Sequence, residues 1–331
     1  MKTTVYCQVK KKENKLAKMN NTLAADTDLL RTTCGSSAID SSRIVGIALC
    51  VALVSVCILI VLGNLMTIVL FAFNKRLHKK TFFLVINMAF ADLMLGGVTL
   101  PVYTYLVGGN FHLWSEHAGE LWKNESFSNL HIIVDTVFSQ ASLISAVIIS
   151  CERFYAIYRP LKHRALSSIA YRVTIFMVWI LAAIISAVQW TGLSKLISYK
   201  HAFYIWTPYI LMLTLIVCGC NFSIWRKFQR GGVASRNQHR HSLNKRLTKT
   251  LLFVSAFALM SWLPLIITNF LIVVGHVPVT RKAYHVVNIL NYSNSFVNPV
   301  VYAFRIPEFR LRLFMCSFRK QVTRNNNEAV K

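Results

Sequence analysis

The fold is decided by one stretch of 29 residues, NLHIIVDTVFSQASLISAVIISCERFYAI, which runs from Asn129 to Ile157. It is long enough to cross a bilayer, because a spanning helix needs about 20 mostly apolar residues. Asp135 lies near one end, and Arg153 follows 18 residues later. Eighteen residues make five helical turns, so the two side chains share one helix face, roughly 27 Å apart. A face that carries both an anion and a cation is predicted to point into a helix bundle and away from lipid.

Six further segments of similar length and apolarity accompany this one. The chain has 331 residues, of which 55% are apolar and only 15% charged, whereas soluble domains carry about 25% charged residues. This composition excludes a soluble enzyme, a disordered chain and a disulfide-rich secreted module, and it predicts an all-α, seven-transmembrane helix bundle. The predicted spans are Ile44–Phe73, Phe82–Val107, Asn129–Ile157, Val173–Thr191, Phe203–Trp225, Thr250–Val274 and Ala283–Phe304.

Lys and Arg are distributed unevenly between the two sides of the predicted bundle. The loops after the first, third and fifth spans, together with the C-terminal tail and Arg153 near the end of the third span, hold 24, and the three other loops hold five. Positive charge favours the cytoplasmic side, so the N-terminus is predicted outside and the C-terminus inside, in the plasma membrane. The net charge of +25 is thereby explained by topology and contact with anionic membrane lipids, and no nucleic-acid partner is expected.

The N-terminal tail, residues 1–43, departs from this bias because it carries eight Lys and Arg. Most of them lie more than 20 residues from the first span, where charge influences orientation little. Met19 follows the most basic part and is an alternative start. Asn20 and Asn124 each begin an Asn-x-Ser/Thr sequence on the predicted outer side, so both are candidate glycosylation sites.

Two carboxylates, Asp92 and Asp135, interrupt the apolar part of the spans. An ionisable side chain in the hydrocarbon region is costly and therefore marks a candidate functional site. A structural hydrogen-bonding centre is the alternative interpretation of each.

Short motifs occur in six of the spans in a fixed order. They are Gly63-Asn64, then Asn87 with Ala91-Asp92-Leu93, Glu152-Arg153-Phe154, Trp179, Ser261-Trp262-Leu263-Pro264 and Asn298-Pro299-Val300-Val301-Tyr302. With this order and spacing, the chain resembles the rhodopsin-like family of G-protein-coupled receptors from about Ile44 to Phe318.

The resemblance implies a receptor, and not an enzyme, with residues 44–304 as the receptor domain. An extracellular ligand would rearrange the helices, and the inner ends would then bind a heterotrimeric G protein. Residues 305–318 would form an amphipathic helix on the inner membrane surface with Cys316 as a palmitoylation site, and residues 319–331 a cytoplasmic tail. The residues implied in activation and coupling are Glu152, Arg153, Pro264, Pro299 and Tyr302.

The resemblance also implies a polar network inside the bundle. Asp92, Ser142, Asn294 and Asn298 match the family's sodium-binding positions. An allosteric sodium ion near Asp92 is therefore the one possible metal, and no other cofactor is expected.

A ligand site is expected around Asp135, which matches the position where amine receptors place the counter-ion of their ligand. Tyr292 matches the tyrosine that supports this carboxylate, and a small cationic amine is the favoured ligand. Leu265 and Ile266 stand where amine receptors carry paired aromatics, so a cation would meet less π surface than usual. The predicted ligand-binding residues are Asp135, Ser139, Trp262, Asn269 and Tyr292.

Two departures from the family pattern keep other ligands open. No Cys lies between Cys57 and Cys151 or between Cys151 and Cys218, so the outer disulfide of most relatives is absent, as in melanocortin and some lipid receptors. Asn244 replaces the acidic residue that often pairs with Arg153, which favours raised basal activity. A peptide or a lipid with a polar head is the alternative ligand. A transporter is the remote alternative function, although no internal repeat supports it.

Overall fold

The computed structural model describes residues 41–72, 82–114, 120–193, 199–230, 238–274 and 277–305. The secondary structure of these residues is entirely helical. The N-terminal tail with Asn20, the predicted amphipathic helix with Cys316 and the cytoplasmic tail lie outside them. Six of the described helices are long and apolar enough to cross a membrane: Ser41–Ala72, Phe82–Asn110, Glu125–Tyr158, Ser168–Gly192, Tyr204–Lys227 and Ala256–Val273. We number these as the first to sixth spans.

The seventh span consists of two consecutive 12-residue helices, Arg281–Tyr292 and Asn294–Arg305. Each alone is shorter than the roughly 20 residues that a crossing needs, so only the two together match the predicted span.

Several helices extend beyond the apolar segments that predicted them. The fourth span belongs to helix Ser168–Leu193, the fifth to Tyr199–Arg230 and the sixth to Gln238–Val273. An apolar pattern marks only the part of a helix that lies in lipid, whereas Lys, Arg, Gln and Leu continue a helix into water with favourable propensity. The third helix begins after Asn124, whose side chain accepts a hydrogen bond from the Phe127 amide at 3.2 Å and caps the helix.

The second span contains a wide turn that the sequence pattern does not predict. Helix Phe82–Met94 passes into a π-helical turn at Leu95–Thr99 and continues as helix Leu100–Asn110. In this turn the Leu100 amide donates to the Leu95 carbonyl, five residues back. Pro101, which has no amide hydrogen to donate, follows at once. Such turns occur mostly as single interruptions of α-helices, frequently at functional sites.

The seventh span is interrupted at Ser293, before the Asn298-Pro299 pair is reached. Pro299 lies inside the second of its two helices, and a proline cannot donate to the carbonyl four residues before it. That carbonyl belongs to Ser295, and the Asn64 side-chain amide of the first span donates to it at 3.2 Å. Gly63 permits this close approach, because a Cβ there would lie 3.0 Å from the Pro299 ring.

The third span, helix Glu125–Tyr158, lies at the centre and packs against the second, fourth and fifth spans. Asn87 links three of these helices through its side-chain amide: Nδ2 donates to Ser145 Oγ at 2.9 Å, and Oδ1 accepts from Trp179 Nε1 at 2.9 Å. Such polar contacts hold helices together where apolar surface meets lipid on the other side. Large apolar side chains stay exposed on the outward faces, for example Ile44, Val51, Leu62, Phe176, Met212 and Phe270.

Candidate ligand-binding site

The five residues predicted to bind ligand line one cavity of about 280 Å³. Asp135 and Ser139 come from the third helix, Trp262 and Asn269 from the sixth span, and Tyr292 from the seventh. The structure therefore brings the predicted set together. It adds cavity-lining residues from the second, fourth and fifth spans, among them Tyr103, Gln189 and Trp206.

Asp135 is held from across the cavity by the seventh span. The Tyr292 hydroxyl donates to Asp135 Oδ1 at 3.0 Å. Within the described part of the chain, no Lys or Arg forms an ion pair with Asp135. A carboxylate that pairs with no Lys or Arg inside the helix bundle is well suited to bind a ligand cation, because burying an unpaired charge is costly.

Tyr103 organises the wall of the cavity beside Asp135, a role that the sequence did not suggest. Its hydroxyl accepts from Asn288 Nδ2 at 3.0 Å and lies 2.8 Å from His285 Nδ1. Its ring stacks on His131 at 5.8 Å between centroids and lies 5.5 Å from the Tyr292 ring. The His131 ring in turn is 3.1 Å from the Thr99 carbonyl in the π-helical turn. The wide turn thus lies directly behind this wall.

Aromatic side chains line the cavity although Leu265 and Ile266 contribute none. Leu265 lines the cavity, and both side chains are buried in an apolar cluster with Trp262. The aromatic lining comes from the second, fifth, sixth and seventh spans, which contribute Tyr103, Trp206, Trp262, Tyr284 and Tyr292. That a ligand cation meets less π surface here than in amine receptors stays a prediction.

A second polar centre lies deeper, around Asp92. Its carboxylate is fully buried; Oδ1 accepts from Ser142 Oγ at 2.6 Å, and Oδ2 accepts from Asn298 Nδ2 at 3.1 Å. Nearby is a cavity of about 10 Å³ lined by Ser142 and Asn294 among others, large enough for roughly one water-sized occupant. Carboxylate and hydroxyl oxygens are hard ligands that suit a small hard cation. The oxygens of Asp92 and Ser142 therefore suit a sodium ion chemically, whereas Asn298 presents its amide nitrogen to the carboxylate.

The end of the third span opposite Asp135 carries a separate cluster of ionisable groups. His163, from the short helix Pro160–Ala165 that follows this span, has its Nε2 2.5 Å from Glu152 Oε1. The Tyr171 hydroxyl donates to the same oxygen at 3.3 Å, and Arg153 Nε lies 3.5 Å from Glu152 Oε2. The Arg153 side chain is 31% exposed, so it lies at the mouth of the bundle, whereas Asp135 lies inside it.

Of the remaining residues implied in coupling, Pro264 lies inside the sixth helix and Pro299 is buried in the seventh span. Tyr302 belongs to helix Asn294–Arg305. The side chains of Tyr302 and Asn244 lie outside the described part, so their implied roles stay predictions.

Comparison with known proteins agrees with this architecture. Residues 63–302 match the family described as 7 transmembrane receptor (rhodopsin family). Trace amine-associated receptor 1 from Homo sapiens is 27% identical over 314 residues, which cover 81% of this chain and 88% of that receptor. The same receptor from Macaca mulatta is 27% identical, covering 78% and 84%. The substance-P receptor from Mus musculus is 25% identical, covering 88% and 77%.

The family match covers well over half of the chain, and its span includes all the motifs that border the two polar centres. The chain belongs to the rhodopsin family of seven-transmembrane receptors.

Proposed function

We propose that this receptor binds a small cationic amine in the cavity at Asp135 and activates a heterotrimeric G protein. The observation that carries the proposal is the Asp135 carboxylate, which lines the cavity, is held by Tyr292 at 3.0 Å and has no Lys or Arg partner among the described residues. A ligand ammonium is the charge that this arrangement lacks. The relatives named trace amine-associated receptor 1 add support from sequence.

The size of the cavity favours a small molecule over a peptide. At about 280 Å³ it is slightly smaller than the roughly 300–1,000 Å³ typical of small-molecule sites. A peptide ligand, which the likeness to the substance-P receptor keeps as the alternative, would have to place most of its bulk outside this cavity.

Signalling follows from the way a ligand biases two arrangements of the bundle. A ligand shifts such an equilibrium only by as much as its affinity differs between them. In the proposed mechanism, an amine at Asp135 contacts Trp262, and the sixth helix moves about Pro264. The inner ends around Glu152, Arg153, Pro299 and Tyr302 then bind the G protein. The chain is proposed to lie in the plasma membrane with its N-terminus outside.

The test is agonist-stimulated guanine-nucleotide exchange on G proteins in membranes that contain the receptor, screened with a panel of primary amines. Asp135→Asn keeps the shape of the side chain and removes its charge, so we expect amine potency to fall at least a hundredfold. Glu125→Gln is the matched control, because it removes a carboxylate from the exposed first turn of the same helix. An Asp135→Asn receptor that responds to amines like the wild type would refute the proposal.

A further inference from the structure

The ligand cavity contains a buried polar group that the Asp135 end does not use. Gln140 is only 2% exposed, lines the cavity and has no hydrogen-bond partner for Oε1. Buried polar atoms in native proteins nearly always have a partner, so each exception calls for a physical explanation. A group on the ligand is one explanation, because the unpaired oxygen belongs to a residue that lines the ligand's own cavity.

Two other unpaired atoms near the cavity are less specific. Trp262 Nε1 and Asn291 Nδ2 have no partner either. Both residues also line the small cavity beside Asp92, so a small occupant there would serve them as well. Gln140 lines the larger cavity and not the small one, which makes it the informative residue.

The position of Gln140 gives the distance from the ammonium site. It follows Asp135 by five residues, which places it about 7.5 Å further along the helix axis and turned by roughly 140° about it. Tyr292 contacts Asp135 from the seventh span, and Gln189 of the fourth span and Trp206 of the fifth also line the cavity. Asp135 and Gln140 thus place two polar groups at different depths of one cavity, which aromatic and apolar side chains also line.

We propose that Gln140 forms a second subsite, which selects amines that carry a hydroxyl group at the end remote from the ammonium. The inference rests on the proposed function and adds the ligand's second polar group to it. A hydroxyl is the best match because it both donates and accepts, so it pairs with the amide oxygen of Gln140 or, after rotation of the amide, with its nitrogen. An arylalkylamine with a ring hydroxyl has approximately the required length, and its ring can pack against the aromatic side chains that line the cavity.

The experiment compares 2-phenylethylamine with its 3-hydroxy and 4-hydroxy analogues on the wild-type receptor and on Gln140→Met. Methionine resembles glutamine in size but lacks the amide, so it should preserve packing and remove the hydrogen bond. We expect at least one hydroxylated amine to be about tenfold more potent than 2-phenylethylamine on the wild type. That advantage should disappear in Gln140→Met, while 2-phenylethylamine keeps its potency.

The outcomes separate this inference from the proposed function. If all three amines activate the wild type with equal potency, the subsite is wrong and the amine receptor stands. The same holds if the hydroxyl advantage persists in Gln140→Met. If none of the three amines acts on the wild type, the subsite proposal fails, and the wider amine panel with Asp135→Asn decides the proposed function. The wild-type comparison decides between these results even if the Gln140→Met receptor does not reach the membrane.

Discussion

The hydroxyl of Tyr292 is one oxygen atom, yet it fixes the carboxylate on which the proposed ligand contact depends. It donates to Asp135 Oδ1 at 3.0 Å, and hydrogen bonds to charged groups contribute about 1.5–3 kcal/mol. The bond orients the carboxylate in the free receptor, so a ligand cation does not have to order it on binding.

Replacing that hydroxyl should weaken amine binding without abolishing it. In Tyr292→Phe we expect an affinity loss of about tenfold, because the charge of Asp135 stays and only its orientation is lost. Radioligand or fluorescent-amine binding measures the change. Tyr284→Phe is the control, because it removes the same atom from another cavity-lining tyrosine of that helix. Equal losses in both variants would contradict a specific role for Tyr292.

The Asp92 centre makes a prediction about ion removal. An ion that binds only the folded receptor stabilises it by mass action, so replacing sodium with N-methylglucamine at constant ionic strength should lower the midpoint of thermal unfolding in detergent. The decrease should be a few degrees for stabilisation of about 1–2 kcal/mol. It should vanish in Asp92→Asn and persist in Asp135→Asn. A midpoint that does not depend on sodium in the wild type would exclude the site.

The residues of the site were predictable from sequence to different degrees. Asp135 and Tyr292 stand out because a carboxylate and a matched tyrosine occupy known positions in apolar spans. Tyr103 and Gln140 were missed, because aromatic and amide side chains are common in helices and only the packing shows which of them face the cavity. Asn288 of the seventh span donates to Tyr103 of the second, and this contact joins helices far apart in sequence, which no pattern within one segment indicates.

Between the first and second helices, close packing depends on a residue without a side chain. A Cβ at Gly96 would lie 2.7 Å from Ile60 Cγ2 and 3.1 Å from Ile60 Cβ. The Gly96 carbonyl also accepts a hydrogen bond from Cys57 Sγ at 3.0 Å. Small residues at such crossings allow helices in membranes to approach closely.

Gly96→Ala should therefore destabilise the receptor. Overpacking of this kind costs about 1–3 kcal/mol, which corresponds to a decrease of several degrees in the thermal midpoint. The neighbouring Gly97→Ala is the control, since its Cβ would meet only Val61 Cγ2 at 4.0 Å. Alanine there should leave stability unchanged or raise it slightly, because it restricts the unfolded chain. Similar midpoints for the two variants would show that the contact with Ile60 relaxes at no cost.

At the level of helices, apolar length predicted the location of all seven spans but not their interruptions. The sixth helix begins at Gln238, well before the predicted Thr250, because hydropathy does not report the part of a helix that lies in water. The break at Ser293 and the π-helical turn at Leu95–Thr99 have no comparable signal. Both depend on hydrogen bonds between helices or on a nearby proline, and a periodic pattern in a single segment contains neither.

The orientation of the whole molecule in the membrane is predicted from the distribution of its Lys and Arg residues. The 24 Lys and Arg predicted on one side and the five on the other favour the same topology as the candidate glycosylation sites do. The charge bias lies in the loops and can be counted from the sequence, so the topology could be predicted without any contact between helices. The cavity could not, because its lining depends on how the helices pack.

That topology predicts glycans on both sequons. Asn124 also caps the third helix, so its replacement would alter the helix end together with the sugar. Ser126→Ala removes the sequon and leaves the cap intact, and Thr22→Ala is the matching change in the N-terminal tail. We expect each variant to migrate faster on electrophoresis by one glycan and the double variant to be insensitive to glycosidase. A wild-type receptor whose migration glycosidase does not change would count against the outer location of both sequons.

The wide turn at Leu95–Thr99 changes how pocket positions correspond between this receptor and any receptor whose second helix is uninterrupted. It accommodates one residue more than an ordinary turn, so all that follows is rotated by about 100° relative to an uninterrupted helix. Counting forward from Asp92 along a straight second helix would place Val102 beside the Asp135 carboxylate. In this receptor Tyr103 occupies that place. Mutagenesis plans and ligand preferences transferred by simple numbering would then target the wrong neighbour. Beyond this turn, each residue of the second span corresponds to the residue numbered one lower in an uninterrupted helix.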